Sequence, residues 1–325
     1  MSEGSRITRV KARAVDAEGV RALDAAMGRA TGGPVQHLVD PRRTRRFVDG
    51  GPPLWSVAWS PCADGRGLLL ATYGLSRAVD PAATFRHELS LRVTWAAGDM
   101  PPSGPPPWAY RLLAFLARRF LDAGAMSPGT FTLVGRPLAP ESQMRSVALV
   151  SDPELPGVHR VVGVYADEAL LGEAWSAEAL LEALVAGESS WGATDLARRN
   201  AALDPAFVAT MDAGAHREGS STAAIDVAGV RWCAYDGGYA IEVAGGLGLR
   251  RVARMLRARL GFGRPLVIAD GGRRIRFFPH DRIEAIATRS EQLDVGCARL
   301  DLMLFALETA ACEPVPSPVT LRFRR

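Results

Sequence analysis

Glu88-Leu89-Ser90-Leu91-Arg92-Val93-Thr94-Trp95 alternates without a break, with Leu89, Leu91, Val93 and Trp95 on one side and Glu88, Ser90, Arg92 and Thr94 on the other. A period of two with one apolar and one polar face reads as a half-buried strand. Downstream, Pro101 to Pro107 (PPSGPPP) excludes regular structure, because proline fixes φ and lacks an N–H donor. There Trp108, Leu112, Phe115, Leu116 and Phe120 begin a stripe at helical spacing, which Gly124 closes. A strand thus hands over to an amphipathic helix.

The same reasoning extends in both directions. Upstream, Asp16 to Ala30 reads as a helix with Asp16 as N-cap and Gly32 and Gly33 as the stop, Pro41 to Arg46 (PRRTRR) as a basic turn, and Leu68 to Tyr73 as a strand. Thr130 to Val134, Ser146 to Val150 and Arg160 to Tyr165 are short runs between Pro, Gly and Asp turns, which points to a mixed sheet. Ser176 caps a helix carrying Leu180, Leu181, Leu184 and Val185 up to Gly187, and Asp204-Pro205 opens another that is expected to end at Gly214. Glu218 to Thr222 (EGSST) is the candidate linker. Beyond it, strands are expected at 239–243, 266–269, 274–278 and 319–323, with helices at 249–260 and 300–310.

At 325 residues the chain has room for two domains, and its 48% hydrophobic and 23% charged residues are ordinary globular values. No apolar run reaches the length of a membrane helix and the first thirty residues lack a signal h-region, so a soluble, cytoplasmic protein is expected. The net charge of +4 invites a nucleic-acid reading, but 38 of the 39 basic residues are Arg, a skew more like codon bias than selection for phosphate contacts. The charge is also polarised. Val161 to Ala197 holds seven acids and no base, whereas Arg250 to Arg325 holds fifteen Arg against eight acids, which favours partner docking or contact between the two halves.

The catalytic and cofactor patterns each fail at a required position. Cys62, Cys233, Cys297 and Cys312 form no C-x-x-C pair and read as buried free thiols. His87-Glu88 lacks the second His of a zinc helix, where Leu91 stands, and Gly187-Glu-Ser189-Ser190-Trp191 misses the last glycine of a nucleophile elbow. Gly246-Leu-Gly248 before a helix resembles a dinucleotide-binding turn, but Arg251 occupies the third glycine position. The Arg series on that helix (Arg250, Arg251, Arg254, Arg257, Arg259) reads as a solvated face, with an acidic-partner site as the alternative. Neither a cofactor nor a metal is expected.

From Phe47 to Gly214 the order of short motifs resembles the Suppressor of fused (SUFU) domain family. The pieces include Gly50 to Leu54 with Trp59, Tyr73-Gly74-Leu75-Ser76, Glu88 to Val93, Pro106-Pro107-Trp108, Pro137-Leu138, Asp152-Pro153-Glu154, Val161 to Val164, Trp175, Trp191 with Thr194-Asp195, Arg198-Arg199, and Asp204-Pro205. The resemblance implies an α+β fold of two lobes, each with a mixed or antiparallel sheet and packed helices, and a cleft between them. On that basis residues 1–46 form an N-terminal helical extension, 47–217 the first lobe and 223–325 an α+β second lobe.

It also implies a non-enzymatic binding protein. Animal members clamp a peptide of Gli-type transcription factors as an extra strand in the cleft, and bacterial members look like immunity proteins that neutralise a cognate toxin domain. Strand addition supplies affinity through main-chain hydrogen bonds. Gly129-Thr130-Phe131 replaces the animal Gly-Asp-His, Arg119 replaces a helix Tyr, and Ser151-Asp152 a fuller acidic pair, so a Gli-like peptide is not the expected ligand. The expected partner is a protein or peptide, a toxin domain first, bound by Arg119, Thr130, Thr132, Val134 and the turn at Asp152, with Arg119 and Asp152 at exposed positions. Glu178 and Glu182 form the alternative docking surface. The rival class is an enzyme, either nucleotide-dependent through Gly246 and Gly248 or a hydrolase of unrecognised type.

Overall fold

The computed structural model describes residues 17–38, 56–63, 65, 67–76, 87–94, 104–123, 127–185, 192–243, 247–270, 273–282, 284–289, 291–298, 300, 301, 303, 304, 307 and 319–324. The basic turn at 41–46, Gly50 to Leu54, the segment Gly187 to Trp191, Gly246 and Cys312 lie outside them.

In the first lobe the short β-branched and leucine-rich runs assemble into one seven-stranded sheet. Its strands are β1 (Gln36–His37), β2 (Ser56–Pro61), β3 (Gly67–Tyr73), β4 (Leu89–Thr94), β5 (Thr130–Leu133), β6 (Ser146–Ser151) and β7 (His159–Val164), in the order β1-β2-β3-β4-β7-β6-β5. All neighbours are antiparallel except β4 and β7, so the sheet is mixed. Helices among the described residues that accompany it are α1 (Ala17–Thr31), α2 (Pro107–Ala123), α3 (Ala166–Ala174), α4 (Ala177–Val185) and α5 (Pro205–Glu218).

The alternation of the strands decides what each face meets. Val57, Leu70, Leu91, Leu149 and Val161 pack under Leu113, Leu116 and Phe120 of α2. On the opposite face Leu69, Ala71 and Tyr73 receive Val20, Leu23 and Met27 of α1, while Phe131, Ala148, Val162 and Val164 receive Ala169, Leu171, Leu180 and Met211 of α3, α4 and α5. Thus α1 and β1, within the segment read as an extension, pack on and into this sheet. The strand at Leu89–Thr94 is not half-buried as its pattern suggests. Ser90 and Arg92 on its polar face are 0% and 7% exposed, because charged partners cover them.

Helix ends follow local chemistry. The Ser176 hydroxyl accepts the Ala179 N–H at 2.9 Å, and the Asp204 carboxylate accepts that of Ala206 at 2.9 Å, with Pro205 in the first turn of α5. That helix runs through Gly214 to Glu218. A Cβ on Gly214 would fall 2.4 Å from the Trp175 ring, so this glycine admits a neighbouring side chain and is not a stop.

The second lobe holds β8 (Ala224–Asp226), β9 (Arg231–Tyr235), β10 (Gly238–Val243), α6 (Leu247–Leu260), β11 (Leu266–Asp270), β12 (Arg273–Pro279), β13 (Glu284–Arg289), β14 (Gln292–Cys297) and β15 (Val319–Arg324). These strands form a three-stranded sheet β15-β10-β9 and a five-stranded sheet β13-β14-β12-β11-β8. Both close on one core in which Ile241 and Val243 meet Leu249, Val252 and Leu256 of α6, together with Ile268, Ile275, Phe277, Leu293, Val295 and the helical residue Leu307.

The segment read as a linker is a welded joint. Ser220 is fully buried and donates its N–H to Ala258 O at 2.8 Å and its hydroxyl to Glu173 O at 2.5 Å, while Arg259 and Arg264 donate to its carbonyl. Small polar residues serve here to thread a tight, hydrogen-bonded passage between lobes. Among the described residues no helix is long and apolar enough to cross a membrane.

Candidate functional site

Two sheet edges face each other where the lobes meet. β5 ends the seven-stranded sheet and β8 ends the five-stranded one, and their Cα atoms approach within 8 Å. The ladder shows which main-chain groups point outward. Val134 donates its N–H to Arg145 O at 2.8 Å, so Val134, Thr132 and Thr130 turn their main chain toward β6 in the antiparallel register. Phe131 and Leu133 therefore direct theirs away from β6, toward β8. On β8, the bonds Val267 N–H to Ala223 O and Val227 N–H to Ala269 O leave Ala224 and Asp226 outward, facing β5.

Side chains hold the edges together. Arg119 on α2 donates to the Asp226 carboxylate, with side chains 31% and 49% exposed, and Thr222 donates its hydroxyl to Gly129 O at 3.1 Å. Arg119 Nε is buried and has no partner among the described residues. Deeper in the seam Arg251 of α6 makes a two-pronged pair with Glu173 of α3, its Nε 2.7 Å from Oε2, and also donates to Asp226 O. Arg254 pairs with Asp212. The arginine helix is thus only partly solvated: Arg250 and Arg257 are exposed, whereas Arg251 and Arg259 are 3% and 7% exposed. Among the described residues one ion pair, Glu173–Arg251, joins the acidic segment to the Arg-rich one across the lobe boundary.

Of the residues assigned to the cleft, Arg119, Thr130 and Val134 are half-buried, and Thr132 is buried at 2%. Asp152 belongs elsewhere in the lobe, and its expected exposure is not what the structure has. Its side chain is fully buried and accepts from Ser90 Oγ at 2.6 Å, Arg92 Nη1 at 2.9 Å and Arg160 Nη2 at 3.3 Å, with Arg92 also reaching Glu154 at 2.5 Å. Burial alone would raise its pKa, but Arg92, Ser90 and Arg160 outweigh this and hold it at about 2. The cluster fills the gap between the two apolar patches on that face of the sheet.

Other motif residues have equally local duties. The Glu88 carboxylate accepts from Thr72 Oγ1 at 2.7 Å, from the Gly74, Leu75 and Ser76 N–H groups at 3.0 to 3.3 Å and from Ser76 Oγ at 3.0 Å. Gly74 at φ 107 makes that cradle possible. Burial pushes the Glu88 carboxyl up, against those donors. Glu168 accepts both Arg198 prongs at 2.6 and 2.8 Å and the N–H groups of Tyr165 and Ala201. His159 lies beside His87 and over Phe120, and burial followed by the neighbouring His87 lowers its pKa. Glu178 and Glu182 both stand exposed on α4.

At the glycine turn, Gly248 opens α6 with Val227 3.5 Å from the position of an added Cβ, and Arg251 is committed to Glu173. Among the described residues no three His, Cys, Asp or Glu side chains gather as a metal set. Cys62 and Cys297 are partly buried but Cys233 is exposed, contrary to the expected burial, and burial pushes the Cys297 thiol up to about 12. Missed in the sequence were β8, α3 and the seam pair Glu173–Arg251. The opposite charge of the two segments was the one signal for that pair.

A two-lobed α+β protein whose lobes meet at two facing sheet edges is the class this geometry defines. Residues 52–199 match the family model described as Suppressor of fused protein (SUFU). The crystal structure of Drosophila Suppressor of Fused is similar at a TM-score of 0.61 and 14% identity, covering 90% of each chain, which extends the shared fold across both lobes. A Sufu–Fu complex matches at 18% identity and TM-score 0.48 over 59% of this chain and 96% of that one. A SUFU homologue from Neisseria gonorrhoeae FA 1090 matches at 13% and 0.41, over 56% of this chain and 96% of that one. No curated protein matches the chain.

Proposed function

We propose that this chain is a non-enzymatic protein-binding protein that holds an extended segment of its partner as an additional strand on β5, in the cleft against β8. One observation carries the reading: two sheet edges from different lobes face each other, with Phe131 and Leu133 aiming main-chain groups into the gap. An added strand gains main-chain hydrogen bonds on such an edge and buries it. Arg119, Thr130 and Val134 flank that path, whereas Thr132 is buried, and Arg119 Nε offers a donor.

Entry requires the edges to part, since a strand between them needs roughly 4.8 Å on each side. The contacts at the mouth are weak: an exposed ion pair contributes about 0–1 kcal/mol and a hydrogen bond about 1 kcal/mol. The buried Glu173–Arg251 pair and the Ser220 joint stay closed and act as the hinge. The finer reading, supported by the resemblance to bacterial members, is a cytoplasmic immunity protein whose partner is a toxin domain.

The test is co-expression with the C-terminal domain of any large secreted protein encoded beside this chain. Protection of the host cells is expected, together with a complex that is at least tenfold weaker for Leu133→Pro, which removes an outward donor and leaves the β6 ladder intact. A toxic neighbour that is not neutralised ends the toxin reading. A complex indifferent to Leu133→Pro ends strand addition.

A further inference from the structure

The face of α2 that carries Arg119 continues, one to three turns earlier, into Phe115, Leu112, Arg111 and Trp108. Opposite this stripe runs the chain that leaves β5, from Val134 through Arg136 and Pro137 to Pro140. Together they form an open groove of about 250 Å3 with an apolar floor of Trp108, Leu112, Phe115 and Leu138 and two exposed arginines, Arg111 and Arg136, on its rim. No carboxylate among the described residues pairs with either arginine. The volume falls below the roughly 300–1,000 Å3 of sites for whole small molecules, and suits one or two side chains.

Position and charge select the occupant. A segment lying on β5 and running on past Val134 enters this groove with no change of surface, because Val134 is both the end of the edge and a wall of the groove. Its side chain there must cover an aromatic floor, and its flanks must meet Arg111, Arg136 and, at the cleft mouth, Arg119. We infer that the groove is an anchor site for an acidic peptide segment of the protein partner, one that inserts an aromatic or large aliphatic side chain between flanking carboxylates. Such a residue desolvates the floor, while the carboxylates meet guanidinium groups that present paired donors. The inference rests on strand addition for the path of the chain but not for the chemistry of the groove.

The probe is a fluorescein-labelled peptide, Glu-Asp-Phe-Asp-Leu-Glu, followed by polarisation on the full chain. Saturable binding is expected, at least tenfold weaker for the Arg111→Glu/Arg136→Glu double variant at an unchanged melting temperature, since both side chains are exposed. Binding should also weaken from 50 to 500 mM sodium chloride and vanish when Ala replaces the peptide Phe. Equal binding of a version with Lys in place of every acid, wild-type affinity in the double variant, or no saturation at millimolar peptide each overturns the inference. Loss of peptide binding with β5 still protected in a partner complex removes the groove alone. A bound peptide with β5 unprotected in that complex removes the shared path.

Discussion

Glu173 on α3 and Arg251 on α6 form a two-pronged ion pair across the lobe boundary, with side chains only 3% and 4% exposed. The same guanidinium caps Asp226 O on β8, so a single residue ties the first lobe's helices to the edge strand of the second lobe's sheet. Burial pushes the Glu173 carboxyl up, and Arg251 opposes that.

Removing one partner strands the other charge in a dry seam, at about 3–5 kcal/mol. Arg251→Leu should therefore lower unfolding stability by that amount in urea titrations. A loss below about 1 kcal/mol would contradict the seam as described.

The Asp152 cluster makes a pH prediction. Its pKa is held at about 2, below the ordinary value of 3.8, so its stabilisation is complete above about pH 4 and is lost as pH falls through 2. The shift is worth about 2 kcal/mol. Asp152→Asn should be less stable at pH 7 and show a flatter decline between pH 4 and 2 than the wild type. Parallel pH profiles for the two proteins would refute the assignment.

Glu88 accepts five donors and donates to none, so an amide in its place sets NH2 against N–H. Glu88→Gln is expected to cost about 1–3 kcal/mol by thermal unfolding, with partner affinity unchanged. A neutral effect on stability would show the cradle to be dispensable.

Much of the first lobe was legible because its strands and capped helices carry strong local signals. Ser176 and Asp204 cap as expected, and the stripe from Trp108 to Phe120 lies within α2. Gly214 misled because its use is a close approach of Trp175, a tertiary fact with no local signature. The polar face of Leu89–Thr94 misled because Ser90 and Arg92 answer to Asp152, some sixty residues away. The cleft strand Thr130–Leu133 was found through the resemblance, but its opposing edge was not. β8 is three residues long and too short to carry a period. Likewise the arginine series on α6 had the amphipathic pattern of a solvated face, and only the packing of α3 and of the Ser220 joint against it shows which arginines are buried.

The two candidate surfaces separate cleanly by charge reversal. Glu178→Lys/Glu182→Lys alters an exposed helix face and should change stability by no more than about 0.5 kcal/mol and leave partner affinity as it was. Arg119→Glu should change stability by about 1 kcal/mol or less but weaken the partner at least tenfold, since it sets a carboxylate against Asp226 and against an acidic segment. The opposite pattern in calorimetry would move the docking surface to α4.

Amide hydrogen exchange at single-residue resolution on β5 tests strand addition most directly. In the free protein Phe131 and Leu133, which turn away from β6, should exchange faster than Thr132 and Val134, which turn toward it. With the partner bound to saturation, Phe131 and Leu133 should slow at least a hundredfold while Thr132 and Val134 change little. A saturated complex in which Phe131 and Leu133 exchange at their free rates would contradict a partner strand on this edge.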